Sequence, residues 1–255
     1  MPRGAAALSW AGALLRGART SRRSLASSVD LTRARAHDHA ALREELLVFD
    51  QLLTRAEAQT LADDVAAVMD ELPMREEHFD GLIARHREFH TGVDAPMWTP
   101  RSRAAVARVR TTVAELHFPA LQPQLHVLEL PNGAAILPHF DSVKFSGSIT
   151  VGINLNAPAV LRFTDGGSVA ELHIDPGSVY IMSGLARYVY KHEVLPIRGL
   201  RRFALIQRDP GPCSHLPVWL QYLHGIFPLP PTSDELLAEY RKKRHDDFMR
   251  TKESE

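Results

Sequence analysis

The spacing of apolar residues predicts helices in the first part of the chain. Thr54 and Glu57 have capping-box spacing, in which two side chains satisfy backbone groups at a helix start. Apolar residues follow at positions 58, 61, 65, 68 and 72, the spacing of one helix face, until Pro73. A short apolar strand precedes this helix at Leu46. Residues 74–98 are interpreted as a polar loop. A second helix is expected to begin with Thr99 as its cap, and no further helix is expected between it and the C-terminal tail.

From residue 121 the pattern changes to short strands separated by turn residues. The eight predicted strands are LHVLEL, AAILPHFD, GSITVGINL, AVLRFTD, VAELHID, SVYIMSG, RYVYKHEV and RFALIQR. Turns such as PNG and PG separate them, and short strands at this spacing are typical of an antiparallel sandwich or barrel. The fold class is therefore mainly β, with the two helices bracing one sheet.

Composition narrows the function classes only slightly. The 255 residues carry 30 basic and 30 acidic side chains, so the formal net charge is zero and no overall basic field gathers phosphates. The single cysteine, Cys213, excludes an internal disulfide framework and a cysteine-held zinc or iron–sulfur site in a monomer. No apolar run approaches the roughly 18 residues that span a bilayer. We expect a soluble or peripheral protein in a reducing compartment.

Both ends of the chain differ from its middle. Residues 1–29 contain five arginines and no acid, the composition of a mitochondrial transit peptide, which predicts removal of the segment and a location in the mitochondrial matrix. A secretory signal peptide and a disordered basic tail are the alternatives. Residues 211–255 form a Pro-rich segment followed by a predicted helix from Ser233, whose basic run at 241–244 is flanked by acids and favours a solvated face.

A histidine and a carboxylate lie two residues apart in the predicted strand AAILPHFD. Side chains alternate along a strand, so His139 and Asp141 are expected on one face, where both can reach one ion. His192, on a later predicted strand that it shares with Tyr188 and Tyr190, is the candidate third ligand. Two imidazoles and one carboxylate with open positions are typical of iron(II) oxygenases. Zinc held by three histidines is the competing interpretation.

Two arginines on the last predicted strand suggest an anchor for an organic acid. Arg202 and Arg208 lie six residues apart, an even offset that places them on one face. Two guanidinium groups facing the interior of a strand are costly without anionic partners, and a dicarboxylate such as 2-oxoglutarate would supply them. Two surface arginines on an edge strand are the alternative.

These motifs resemble the AlkB family of iron(II)/2-oxoglutarate-dependent dioxygenases, and within it the mitochondrial subgroup of seventh AlkB homologues. The resemblance covers residues 46–210 and rests on HVLEL, LPHFDSVKFSG, PGSVYIMSGLARYVYKHEV and RRFALIQR. It implies a double-stranded β-helix, or jelly roll, with Fe(II), 2-oxoglutarate and dioxygen as cofactor and cosubstrates and ascorbate as a supporting reductant. It further implies His139, Asp141 and His192 as the catalytic iron ligands, with Tyr180 and the two arginines binding 2-oxoglutarate.

The substrate is where the chain departs from the family pattern. Base-repairing AlkB enzymes carry an acid two positions after the metal aspartate, where this chain has Val143, and residues 113–121 leave little room for a nucleotide lid. We therefore expect a protein or other non-base substrate. The resemblance also implies a role linked to programmed necrosis and fatty-acid metabolism. Oxidative demethylation of mitochondrial RNA is the alternative, and an interaction or sensing protein with a structural iron site is an alternative of another class.

Overall fold

A computed structural model of the chain describes residues 29–211 apart from residues 79, 144 and 197. The predicted transit peptide, except its last residue, and the predicted C-terminal helix lie outside the described residues. None of the described helices combines the length and the hydropathy that crossing a bilayer requires.

Two antiparallel sheets make up most of the described chain. The smaller sheet contains β1 (Val29–Arg33), β6 (Ile136–His139), β8 (Ala159–Asp165), β9 (Ser168–Ile174) and β11 (Lys191–Val194), in the spatial order β1-β9-β8-β11-β6. The larger sheet contains β2 (Leu46–Phe49), β3 (Arg75–Glu77), β4 (Ala84–Gly92), β5 (Gln124–Leu130), β7 (Ser146–Asn154), β10 (Val179–Met182) and β12 (Arg202–Pro210), in the order β2-β10-β7-β12-β5-β4-β3. The prediction of a mainly β fold with two antiparallel sheets is confirmed, and each of the eight predicted strands has a counterpart.

The helices are α1 (His39–Glu45), α2 (Arg55–Met69), α3 (Pro100–Glu115) and α4 (Gly184–Tyr188). Helices α2 and α3 are the two that the sequence predicts, and they share a core with the outer face of the larger sheet. The inner face of that sheet packs on the smaller sheet in a second core. Successive residues of the larger sheet face the two cores in turn. Val151 and Ile153 of β7 face the helices, whereas Tyr180 of β10, which pairs with Gly152 of β7, faces the inner core.

Two sequence predictions of local structure were wrong. Residues 74–98, expected to form a loop, contain β3 and β4, and β4 pairs with β5 from Arg87 to Gly92. Its polar residues do not alternate with apolar ones because much of the strand is exposed or half-buried. The predicted strand RYVYKHEV begins in α4 instead, so helical structure does not end at α3. There Gly184 has a positive φ of 45°, and a Cβ at this position would lie 2.2 Å from the Glu45 carboxyl carbon.

The start of α2 has the predicted capping box. The Thr54 Oγ1 atom accepts a hydrogen bond from the Glu57 backbone N–H at 3.2 Å, and the Glu57 carboxylate accepts one from the Thr54 N–H at 2.9 Å. The same carboxylate receives the Arg108 guanidinium of α3 at 2.7 Å. This ion pair lowers the pKa of Glu57 to about 2. The cap therefore joins the two helices that cover the larger sheet.

Replacing the capping hydroxyl tests this arrangement. Thr54→Ala is expected to lower the free energy of unfolding by about 1 kcal/mol, because the N3 amide loses its partner. Thr60→Ala is the matched control, since among the described residues the Thr60 hydroxyl bonds only the carbonyl of Ala56 within the same helix. Its effect should stay within about 0.5 kcal/mol. Denaturant unfolding measures both, and equal losses in the two variants would contradict the role of the cap.

Candidate metal and cosubstrate site

The pairing of β11 with β6 brings two histidines together. His192 lies directly opposite His139 in the antiparallel register, and the centroids of their rings are 4.2 Å apart. Both strands belong to the smaller sheet, so the two imidazoles approach from neighbouring strands even though they are far apart in sequence. The predicted histidine pair is thus a direct consequence of strand register.

Asp141 completes the cluster from just beyond the end of β6. Its Oδ1 atom lies 3.8 Å from Nε2 of His139 and 3.8 Å from Nε2 of His192. One donor atom from each of the three residues lies within 4.8 Å of the other two. Asp141 and His192 are buried and His139 is partly exposed. The sequence predicted that these three side chains converge, and they do.

The donor set fits a divalent first-row metal. An octahedral ion with bonds of about 2.1 Å places neighbouring ligand atoms roughly 3 Å apart, so the observed separations close with small side-chain shifts. The Nδ1–H group of His139 donates to the carbonyl of Leu137 at 2.8 Å, which leaves Nε2 as the lone-pair nitrogen facing the cluster. Burial, followed by the neighbouring His139, lowers the pKa of His192 to about 3, so its imidazole is neutral at pH 7.

The carboxylate of Asp141 is held in its ionised form. Burial raises its pKa, but the Arg208 guanidinium and the neighbouring imidazoles outweigh burial and hold the pKa well below its usual range. Arg208 contacts both carboxylate oxygens at 3.2 Å, and the Thr150 hydroxyl donates to Oδ2 at 2.7 Å. The larger sheet therefore holds both oxygens through Arg208 and Oδ2 also through Thr150, while Oδ1 is the oxygen that faces the histidines.

Arg202 is a buried cation with no acidic partner among the described residues. Its side chain is 2% exposed, and its Nε–H donates to the Oδ1 atom of Asn154 at 2.8 Å. No described carboxylate lies within ion-pair distance of it. Burial accordingly lowers the pKa of Arg202. Arg208, by contrast, is paired with Asp141, so the two predicted anchor residues differ in how their charge is balanced.

Tyr180 lies on the same inner face as the arginines. It pairs with Gly152 across β10 and β7, and a Cβ at position 152 would lie 2.1 Å from the Tyr180 ring. Only glycine leaves room for the ring at this point. The Tyr180 hydroxyl forms no hydrogen bond with the described residues, although its side chain is buried. The structure thus places the sixth predicted site residue beside the arginines with its hydroxyl available.

Other residues named from the sequence lie outside this cluster. Tyr190 does not share a site face with His192, because its hydroxyl donates to Asp38 at 2.6 Å in the core. Tyr188 lies at the end of α4 and bonds the carbonyl of Gly147. Val143 is buried and apolar, two residues after Asp141.

Sequence reasoning missed Arg187, a fully buried arginine on α4. Its guanidinium donates to the backbone carbonyl of Asp141 at 2.9 Å and to the hydroxyl of Ser146 at 2.8 Å. It therefore holds the backbone between β6 and β7 in the position that aims the Asp141 carboxylate at the histidines. Arg187 was missed because RYVYKHEV, which it begins, was predicted to be a strand, whereas Arg187 lies on a helix. Thr150 and Asn154, which lie on the same face of β7 on either side of Gly152, were also missed, and their even spacing with Gly152 was the available signal.

Comparison of the whole sequence with known proteins gives clear relatives. The chain is 33% identical over 183 residues to the protein named alpha-ketoglutarate-dependent dioxygenase alkB homolog 7, mitochondrial, of Bos taurus, covering 69% of this chain and 80% of the relative. It is also 33% identical over 157 residues to the protein of the same name in Mus musculus, covering 60% and 69%. No protein-family model matches the chain.

Solved structures support the fold. A prolyl hydroxylase of Trichoplax adhaerens, solved with a peptide of the hypoxia inducible factor oxygen degradation domain, aligns with a TM-score of 0.53 at 13% identity, covering 68% of this chain and 86% of that one. The structure of OsALKBH1 aligns with a TM-score of 0.51 at 13% identity, covering 65% and 98%. At this identity the likeness concerns the jelly-roll architecture alone. The sequence relatives show that the chain belongs to the alkB homolog 7 family of alpha-ketoglutarate-dependent dioxygenases.

Proposed function

We propose that this dioxygenase hydroxylates a protein side chain, or another substrate that is not a nucleic-acid base, in the mitochondrial matrix. The observation that carries the cosubstrate assignment is Arg202, a buried guanidinium without an acidic partner among the described residues. A buried cation is stable only when an anion or several hydrogen bonds compensate it. A carboxylate of 2-oxoglutarate would provide that compensation.

In this proposal His139, Asp141 and His192 hold the iron, and the rest of the site keeps them in place. When bound, Fe(II) and 2-oxoglutarate activate dioxygen, and the overall reaction yields succinate, carbon dioxide and a hydroxylated substrate. Arg208 and Thr150 keep Asp141 ionised and orient it. The chain's own contribution would be three protein ligands, which leave coordination positions open for the cosubstrates.

Arg202 and Tyr180 bind the cosubstrate in this proposal. The Nε–H of Arg202 is occupied by Asn154, so its terminal nitrogens are the groups that face a ligand. The Tyr180 hydroxyl is a second donor with no partner among the described residues. Since bonds between donors and an ionised carboxylate are stronger than neutral ones, these two residues would fix the position of the far carboxylate. Arg208 is the further cosubstrate contact named by the family resemblance.

The substrate assignment rests on the apolar residue at position 143 and on the overall charge. Val143 provides no polar atom where base-repairing enzymes of the family have an acid, so a flipped base would lose an orienting contact. The zero net charge gives no general attraction for a phosphate backbone. Oxidative demethylation of mitochondrial RNA is the second candidate. A link to programmed necrosis and fatty-acid metabolism is part of the proposal, as the family resemblance implies.

Removing one metal ligand tests the iron site. Purified protein with Fe(II), 2-oxoglutarate and ascorbate should form succinate, and His139→Ala should reduce that turnover to background because one of the three proposed iron ligands is lost. His173→Ala is the matched control, since His173 is 58% exposed on β9, with Glu171 as its ion-pair partner, and lies outside the candidate iron cluster. Succinate measured by mass spectrometry gives the readout. Equal turnover by His139→Ala and wild type would refute the ligand assignment.

A conservative change of the buried arginine tests the cosubstrate site. Arg202→Lys is expected to raise KM for 2-oxoglutarate roughly 10- to 150-fold, the equivalent of one lost hydrogen bond to a charged group. Arg201→Lys is the control, because Arg201 is partly exposed and pairs with Asp70 at the surface. A KM unchanged in Arg202→Lys, with the fold intact by circular dichroism, would place the cosubstrate elsewhere.

The two substrate classes can be separated in parallel reactions. Matrix proteins and methylated mitochondrial tRNA are incubated separately with the active enzyme and with His139→Ala, and peptides and nucleosides are analysed by mass spectrometry. We expect peptides that gain one oxygen atom only with active enzyme, and methylated nucleosides that stay unchanged. Loss of methyl groups from the RNA, without oxidised peptides, would favour the demethylase. If a folded His139→Ala variant restored the cellular function fully, the interaction or sensing role would be favoured instead.

A further inference from the structure

A second cluster of metal-binding side chains lies at the far edge of the larger sheet. His86 and Glu88 lie two residues apart on β4, so their side chains share one face. His78 follows β3 directly, and its backbone N–H donates to the carbonyl of Ile83 at 2.8 Å, which closes the turn between the two strands. One donor atom from each of these three side chains lies within 4.8 Å of the other two.

His86 is the unusual member of this cluster. Its side chain is 0% exposed, and neither ring nitrogen has a hydrogen-bond partner among the described residues. A buried polar group without a partner costs about 1–3 kcal/mol, so such groups are rare in native structures. Its Nε2 atom points at Glu88, 3.8 Å from Oε1. Burial lowers the pKa of His86, so the ring is neutral at pH 7 and can offer a nitrogen lone pair to a metal ion.

The other two members are oriented by neighbouring residues. The Nδ1–H group of His78 donates to the carboxylate of Asp80 at 2.5 Å, which leaves Nε2 directed at Glu88 Oε1 at 3.6 Å. The second oxygen of Glu88 accepts a hydrogen bond from His126 at 2.9 Å. In metal sites, a ligating histidine is oriented by a carboxylate that accepts a hydrogen bond from its other ring nitrogen. A ligating carboxylate is oriented by a hydrogen-bond donor to its second oxygen.

The distances match the requirements of a zinc-type ion. Bonds of 2.0–2.1 Å in a tetrahedral site place ligand atoms about 3.3 Å apart, and the two separations to Glu88 Oε1 are 3.6 and 3.8 Å. We propose that His78, His86 and Glu88 form a second metal site, separate from the candidate iron centre, that binds a divalent cation of the Zn²⁺ class with a fourth position for water.

Arg75 is the competitor for this position. Its guanidinium lies 3.0 Å from Glu88 Oε1, and its side chain is 57% exposed. The guanidinium neutralises Glu88 when no ion is bound, and it can turn into solvent without losing core contacts. Metal binding would therefore exchange one ion pair, between the largely buried Glu88 and the exposed Arg75, for three ligand bonds and a partner for His86.

Binding at this site would fix the sheet edge. All three residues of β3 are exposed, so few apolar contacts hold the hairpin formed by β3 and β4. An ion bound by one residue after β3 and two residues on β4 joins these elements. Through Glu88 it also fixes His126 on β5, which donates to the same carboxylate.

Zinc stoichiometry in the full chain tests the proposal, provided that the iron site is removed first. The background is the double variant His139→Ala/His192→Ala, which lacks two of the three iron ligands. After dialysis against Zn²⁺ alone, metal analysis should find one equivalent fewer in this background than in wild type, with one tight equivalent remaining. Adding His86→Gln should remove that equivalent, whereas adding His173→Gln, the exposed control, should leave it bound.

A milder variant tests the site without replacing a buried residue, so that misfolding cannot explain a loss of zinc binding. Asp80→Asn in the same background keeps all three ligands but weakens the carboxylate behind His78, and it should lower Zn²⁺ affinity about 10- to 100-fold in competition with a chromogenic chelator. Bound Zn²⁺ should also raise the melting temperature of the background protein and leave that of the His86→Gln variant unchanged. Retention of the tight equivalent in His86→Gln, or unchanged affinity in Asp80→Asn, would overturn the proposal.

Discussion

The antiparallel pairing of β6 with β11 is the interaction on which the candidate iron centre depends. It sets His192 opposite His139, and a slip of one residue would turn one imidazole to the other face of the sheet. Arg187 adds the second constraint, because it holds the Asp141 backbone from α4 while Arg208 and Thr150 hold the carboxylate from the larger sheet. Both sheets and a short helix must therefore be in place before the three donor atoms converge.

The two buried charges near this centre are balanced in different ways. Asp141 receives hydrogen bonds from Arg208 and Thr150, so its burial is compensated by the chain itself. Arg202 has only the side-chain amide oxygen of Asn154 among its described partners. Since leaving a charge unpaired in the interior is costly, the folded protein gains stability from an anion that binds beside Arg202. In the proposed function, cosubstrate binding and folding stability would therefore be linked at Arg202.

Sequence reasoning succeeded where functional residues lie at even spacing on one face of a strand. Alternation was enough to group Arg202 with Arg208, and His139 with Asp141, and the capping box gave the start of α2. It failed at β4, where a largely exposed or half-buried strand rich in polar residues has no apolar alternation, and at α4, where Gly184 turns the chain into a helix that short-range patterns do not reveal. Arg187 and the His86 cluster depend on those two elements, so they become visible only in three dimensions.

One row of paired residues across the larger sheet runs from Tyr180, in the proposed cosubstrate site, to His126, which bonds Glu88 of the second cluster. Tyr180 pairs with Gly152, Gly152 with Ile206, Ile206 with His126, and His126 with His90. Neighbouring strands lie about 4.8 Å apart and successive residues about 3.3 Å apart, so Glu88 on β4, two strands across and two residues along from the register position of Arg202 on β12, is separated from it by roughly 12 Å. That distance exceeds the Debye length of about 8 Å at physiological ionic strength, but buried charges are screened less than exposed ones. A divalent cation at Glu88 would therefore increase the positive potential on the face that carries the arginines, which favours an anionic cosubstrate there.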